Sequence, residues 1–358
     1  MRAHNFGAGP CALPLDVLEE VAAELTDFNG TGMSLIELSH RSKAYEAVHM
    51  ATLDSLRRVA AVPDEFDILF IQGGATLQFA MVPMNLLGPS DAAGVVVSGS
   101  WGKKALGDGA KHGSLVAAWD GAASDYTTMP GSDEIDIDPR WRYLHVTSNE
   151  TIGGIRMIEF PDTDVPLVAD MSSDYLARPI DWDRFDLIYG GVQKNLAPAG
   201  MAVVFVRKSV VAAPANDLAN YLRYGFHADS ASLGNTPPMF PIYVMGMVLD
   251  RLEARGGTRA LEERSAAKAG AVYAVIDASD GFYRSPVDPK VRSHMNVVFR
   301  LPTEELEAEF VADAAERHLI GLKGHRSVGG CRASLYAALE MESVEALTTF
   351  MEDFRSTH

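Results

Sequence analysis

At 358 residues, 47% hydrophobic and 22% charged, the chain has the composition of an ordinary globular protein, long enough for one large core and a smaller second one. A net charge of −17, from 31 basic and 48 acidic residues, excludes general nucleic-acid binding, which needs a basic face, and obliges any anionic ligand to be held by local arginines or helix N-termini. Cys11 and Cys331 form no metal or redox spacing, and no apolar run reaches membrane-spanning or signal-peptide form, so the expectation is a protein of the reducing cytoplasm with no metal, nucleic acid or membrane partner.

Leu15, Leu18, Val21, Ala22 and Leu25 recur at helical spacing and predict an amphipathic helix over 15–28. Ser42 has the character of an N-cap for a second helix from 43 to about 61, closed by Pro63. Apolar, β-branched runs at 68–71, 94–98, 143–146, 165–169, 186–189 and 201–206 predict strands covered on both faces. A helical pattern at 77–87 follows the first of them. Strands alternating with helices imply an α/β domain with a mostly parallel sheet. After Arg255-Gly-Gly the pattern becomes helix 260–276, strand 295–300, helix 304–318 and helix 344–354, which implies a smaller α+β domain. The expected division is 15–257 and 258–358.

The chemistry concentrates at the ends of the predicted strands. In DLIYGGVQKN a short apolar run and two glycines lead to Lys194, one of nine lysines in the chain. Asp170 ends the run in VADMSS, 24 residues earlier. An acid and a lysine at successive strand ends suit pyridoxal phosphate: the carboxylate keeps a pyridine nitrogen protonated, and the amine forms a Schiff base with the aldehyde. The spacing alone also fits a solvated loop lysine. Gln72-Gly-Gly-Ala-Thr joins a strand to a helix, as a phosphate cradle or a plain turn would. Trp101 lies just past the 94–98 strand, where an indole could serve the core or give a flat ring its stacking face. His40-Arg41, His325-Arg326 and Arg332 are scattered along the chain, and arginine matches carboxylate and phosphate with paired donors.

NFGAGPCALP, ELSHRSKAYE, SNETIGG, VADMSSD, GGVQKNLAPAG, GNTPP and GHRSVGGCRAS stand in this order between Asn5 and Ser334. Together they resemble the phosphoserine aminotransferases, a family of fold-type I pyridoxal phosphate enzymes, and the resemblance they carry runs from about Asn5 to about Phe354. The resemblance implies a large domain with a seven-stranded, mostly parallel sheet, a small α+β domain, and an N-terminal segment, 1–14, packed against the small one. It implies phosphate contacts from Ala75, Thr76, Ser172 and Gln193, ring stacking by Trp101, and a bond from Thr151 to the phenolic oxygen. Where other members have an arginine, this chain has Thr76. The resemblance further implies a homodimer whose sites are shared, with Asn235 and Thr236 reaching the partner's phosphate. Arg332 would clamp the α-carboxylate, and His40, Arg41, His325 and Arg326 would face the distal anion, one pair coming from the neighbouring subunit. The implied reaction is transamination between O-phospho-L-serine and 2-oxoglutarate, in serine biosynthesis, and the family also admits 4-phosphohydroxy-L-threonine. The alternative is an alanine/serine–glyoxylate type aminotransferase or a desulfurase of the same fold. The two His-Arg pairs oppose it, because a small uncharged side chain gives them nothing to bind. Cys331, beside Arg332, is a poor desulfurase nucleophile. A non-catalytic α/β protein binding a phosphorylated metabolite would be colourless, whereas the enzyme would be yellow.

Overall fold

The apolar runs assemble into one seven-stranded sheet in the computed structural model, which describes residues 2–358. Its strands are β1 (Phe66–Gln72), β2 (Ala92–Val97), β3 (Ser114–Asp120), β4 (Leu144–Thr147), β5 (Leu167–Asp170), β6 (Phe185–Gly191) and β7 (Met201–Arg207). Across the sheet they run β1-β7-β6-β5-β4-β2-β3. Neighbours are parallel except at β7, which is antiparallel to both β1 and β6. β4 and β5 are buried along their whole length, since helices and loops cover both faces. β3 is the strand that the apolar runs do not reveal. It closes one edge of the sheet, and most of its side chains are exposed.

The helices follow local signals closely at their starts and less so at their ends. α1 (Leu15–Glu24) stops short of 28, because Asp27 turns extended and its carboxylate accepts from the Gly32 amide at 2.7 Å. α2 (Lys43–Val59) opens on Ser42, whose hydroxyl accepts from the Tyr45 amide at 3.3 Å. α3 (Gly74–Leu86) and α4 (Ser100–Gly109) follow β1 and β2. α5 (Met239–Ala254) packs against α2. A second core gathers Phe6, Val272, Phe299, Phe310 and Phe350 from the N-terminal segment, α6 (Gly257–Asp277), β8 (Asn296–Phe299), α7 (Glu304–Glu316) and α8 (Met341–Thr357). Within it β8 pairs antiparallel with β9 (Cys331–Ser334), and His4–Asn5 pairs with Leu319–Ile320.

Two details place the site. In a mostly parallel sheet the carboxyl ends of the strands share one edge, and ligands bind there. Gln72, Thr147, Asp170 and Gly191 are all such ends. The second core is bolted to this edge by buried amides. Asn149 Nδ2 donates to Asn296 Oδ1 at 2.9 Å, Ser293 Oγ donates to Asn149 Oδ1 at 2.5 Å, and Asn296 Nδ2 donates to Ser334 Oγ at 3.0 Å. This chain of bonds fixes β9, and therefore Arg332, over the carboxyl edge.

Candidate active site

Lys194 lies three residues past the end of β6 and is only 8% exposed. Its ammonium donates to Thr151 Oγ1 at 2.6 Å. Burial lowers its pKa from 10.5 to about 8, against the opposing pull of Asp170 and Glu150. Asp170, the last residue of β5, is also buried. Its Oδ1 accepts from the Ser172 amide at 2.9 Å and the Ser172 hydroxyl at 2.6 Å. Burial raises its pKa, while Lys194 and Ser172 act in the other direction. The Ser172 hydroxyl also accepts from the Gly191 amide at 3.0 Å. Its single proton is thus committed to Asp170, whereas the sequence reading gave it to a phosphate.

Lys194 and Asp170 line a cavity of about 320 Å³, together with Ala75, Thr76, Trp101, Ser172 and Gln193. At one end Gly73 and Gly74, with φ of 95° and 63°, turn β1 into α3. Both adopt the left-handed conformation that side chains resist, and nothing lies within 4 Å of where a Gly74 Cβ would be. The first turn of α3, from Gly74 to Thr76, lines the cavity, and a helix N-terminus at a cavity suits an anion. At the other side the Trp101 ring centroid is 4.8 Å from Lys194 Nζ and 4.3 Å from Lys104 Nζ. A larger cavity, about 430 Å³, lies beside Asp67, Lys208 and Arg223. It belongs to the opposite edge of the sheet, where β1 begins and β7 ends.

Arg332 points from β9 toward this centre, its Nη1 donating to the Thr151 carbonyl at 3.3 Å. Its Nε is buried without a partner. His325 and Arg326 sit in the loop before β9, where His325 Nδ1 is 2.7 Å from Ser327 Oγ. The pKa of His325 is lowered by burial first, and then by Arg332, Arg326 and Lys104, so these four groups share a neighbourhood. The remaining expected residues stand apart from the Lys194 cavity. Thr236 Oγ1 is 3.4 Å from His40 Nδ1, Asn235 Nδ2 is 3.4 Å from Gln72 Oε1, and Gln72 Nε2 donates to the Thr236 carbonyl at 3.3 Å. Thr236 and Arg41 are exposed. Within one chain, then, Lys194, Asp170, Thr151, Trp101 and Arg332 converge, while His40, Asn235 and Thr236 form a second cluster.

Two residues escaped the sequence reading. Glu150 is fully buried and accepts from the Trp101 and Gly102 amides. Lys104 stands one turn beyond Trp101 on α4. Nothing in the local words NETIGG and SGSWGKK marks either one. Their roles exist only once α4 and the Asn149–Glu150 segment are neighbours.

The donor set fits a flat aromatic aldehyde that carries a phosphate. It offers a poorly solvated amine, a carboxylate held by neutral donors, an indole face and an open helix N-terminus. No group of three or more His, Cys, Asp or Glu side chains placed to hold a metal occurs among the described residues.

The family model for class-V aminotransferases matches residues 3–347. The chain is similar to the phosphoserine aminotransferase of Geobacillus kaustophilus, 51% identical over 354 residues that span 99% of this chain and 98% of that protein. Its fold is similar to the phosphoserine aminotransferase of Bacillus circulans subsp. alkalophilus, with a TM-score of 0.97 and 49% identity over 99% of both chains. It is also similar to the pyridoxal-phosphate-bound phosphoserine aminotransferase of Trichomonas vaginalis, with a TM-score of 0.94 and 36% identity over 98% of this chain and all of that one (100%).

Proposed function

Because the chain belongs to the phosphoserine aminotransferases of the class-V aminotransferase family, we propose that it reversibly transfers the amino group of O-phospho-L-serine to 2-oxoglutarate, using pyridoxal phosphate. The products are 3-phosphooxypyruvate and L-glutamate, and the reverse direction, from glutamate and 3-phosphooxypyruvate, supplies phosphoserine for serine biosynthesis. The observation that carries this reading is the buried Lys194, hydrogen-bonded to Thr151 beside the Asp170 carboxylate. When bound, pyridoxal phosphate supplies an aldehyde for amino groups and a ring that accepts the electrons left when the Cα–H bond breaks.

The rest falls to side chains of this chain. Lys194 Nζ would hold the cofactor's aldehyde group. The same amine, when neutral, would take the proton from the substrate's Cα and hold it for return. A pKa of about 8 leaves half of the amine neutral near pH 8, as a general base requires. Asp170 would keep the ring nitrogen protonated, and Ser172 holds that carboxylate in place. Trp101 would give the ring its stacking face, and Thr151 would offer its hydroxyl to the phenolic oxygen. The turn at Ala75 and Thr76, with Gln193, would receive the phosphate, since the Ser172 donors are taken by Asp170. Its contacts are amides and neutral side chains, since Thr76 brings no charge.

The substrate's α-carboxylate goes to Arg332, whose buried Nε lacks a partner and would gain one. The distal phosphate goes to His325 and Arg326, supplemented by His40 and Arg41 from a second copy. A homodimer with shared sites is supported by the cluster of His40, Asn235 and Thr236 outside the Lys194 cavity of their own chain. The segment leading to His40 also carries Met33 and Ile36, 45% and 56% exposed, as a surface covered by a second copy would. Cys11 and Cys331 are unpaired, and no helix among the described residues is long and apolar enough to cross a membrane. Both are compatible with a cytoplasmic enzyme.

A substrate panel tests the assignment. Phosphoserine should be the fastest donor to 2-oxoglutarate, serine and alanine should be slow, and phosphohydroxythreonine measures how wide the distal site is. If alanine or serine turned over as fast as phosphoserine, the protein would be an aminotransferase of the small-substrate type.

A further inference from the structure

Glu150 has no role in the chemistry above, yet it is fully buried among the groups that perform it. It belongs to the two-residue strand Asn149–Glu150, which pairs with Ile155–Arg156. Its carboxylate accepts from the Trp101 amide at 3.1 and 3.0 Å and from the Gly102 amide at 2.8 Å. These are donors of the first turn of α4, which helices leave unpaired unless something caps them. The N-cap residue, Gly99, has no side chain to do so. A Cβ at Gly99 would sit 2.6 Å from the Glu150 Cδ, so glycine there makes room for the carboxylate.

A local serine would cap α4 without putting a carboxylate in the interior. Here the cap comes from 49 residues away, and its burial raises the Glu150 pKa to about 7. What distinguishes this cap is its address. The next residue, Thr151, holds Lys194, and the residue that Glu150 grips carries the indole beside Lys194. Adjacent residues, the last of this short strand and the one after it, therefore fix both walls of the cavity.

We propose that Glu150 is a positioning residue, whose grip on the Trp101 and Gly102 amides sets the indole in the stacking plane opposite Lys194. The inference rests on pyridoxal phosphate being the ligand of this cavity. Glu150 touches neither the cofactor nor the substrate and acts through Trp101 alone. Lys104, within 4.3 Å of the same ring, steadies the indole but leaves the backbone free.

Purified protein is stripped of cofactor and titrated with pyridoxal 5′-phosphate, following the visible absorbance and circular dichroism of the bound form. Glu150→Gln and Gly99→Ala are each made in the wild-type and Trp101→Ala backgrounds. Gly99→Ala keeps the carboxylate but displaces it, so a result is available even if Glu150→Gln does not fold. Either change should weaken cofactor binding roughly tenfold, the order expected for one charge-assisted hydrogen bond, and should reduce the visible dichroism. Neither should add to the loss in the Trp101→Ala background, because groups acting through one another are not additive. Equal losses in both backgrounds, or unchanged affinity and dichroism in a folded variant, would overturn the proposal. If the wild-type protein takes up no pyridoxal phosphate, the proposed function itself fails, and the positioning role goes with it.

Discussion

Lys194→Met should make the cofactor-free protein more stable at neutral pH while ending transamination. In the folded protein burial depresses the lysine pKa from 10.5 to about 8. At about 1.4 kcal/mol per tenfold change in proton affinity, carrying the charge inside costs about 3 kcal/mol at pH 7. The variant loses the hydrogen bond to Thr151, worth about 1 kcal/mol, so the expected net gain is roughly 2 kcal/mol. Asp170 and Glu150 lose a cation, but each can take up a proton, which only adds to the gain. A depressed pKa means that the wild-type protein has its full stability above pH 10.5 and loses it as pH falls through 8. The advantage of the variant should therefore be complete at pH 7, shrink above pH 8, and reverse by about 1 kcal/mol near pH 10.5. Urea denaturation of both apoproteins at pH 7 and pH 10.5, followed by far-ultraviolet circular dichroism, measures this. A variant less stable than wild type at pH 7, or a gain independent of pH, would refute the idea that Lys194 is held as a poorly solvated amine.

Arg332→Ala should lower kcat/KM for phosphoserine and serine together, because both bring an α-carboxylate. Arg41→Ala or Arg326→Ala should cost phosphoserine about a hundredfold, two charged hydrogen bonds at the low end of their range, and leave serine nearly unchanged; equal losses on both substrates would make those arginines structural. Mixing inactive Lys194→Ala chains with inactive Asn235→Ala/Thr236→Ala chains should restore part of the activity after subunit exchange, and no restoration despite proven exchange would count against shared sites. Asn149→Ala, which strips partners from the buried Asn296 and Ser293, should cost about 2–4 kcal/mol of stability and raise KM more than it lowers kcat, through loosening of β9 and Arg332; a lower melting temperature with KM unchanged would show that the amide bolt serves stability alone.

The α/β class was legible because its strands are buried on both faces, so their apolar runs stand out without reference to neighbours. β3 was not, since an exposed edge strand carries no such run. α5 shows the converse difficulty: it is buried on most sides, and a helix apolar all round has no amphipathic period to read. Lys194 and Asp170 were legible for a simple reason. Each is a charged residue at the end of an apolar strand, and position on the sheet edge follows from strand order alone. Glu150 and Lys104 depend on which helix packs beside which loop, and no one-dimensional spacing encodes that. The engagement of Ser172 with Asp170 was hidden in the same way. A sequence supplies the hydroxyl, but only the fold decides which acceptor takes its proton.

An acidic chain that binds doubly and triply charged anions needs a physical account. The charge of −17 is spread mostly over the surface, where ions screen it beyond roughly 8 Å at physiological salt. The site works at shorter range and with less water. Arg332 is largely buried with one nitrogen unpartnered, and Lys104, His325 and Arg326 stand close by. The start of α3, at Gly74, Ala75 and Thr76, lines the Lys194 cavity. The amides at the start of α4 are taken by Glu150, so they attract no ligand and hold the indole instead. Of two helix N-termini at the same sheet edge, one is left free for an external anion and the other is closed by an internal one. That division lets a single edge of the sheet bind a phosphate and, beside it, hold an indole against a lysine that burial, not Glu150, keeps neutral enough to move a proton.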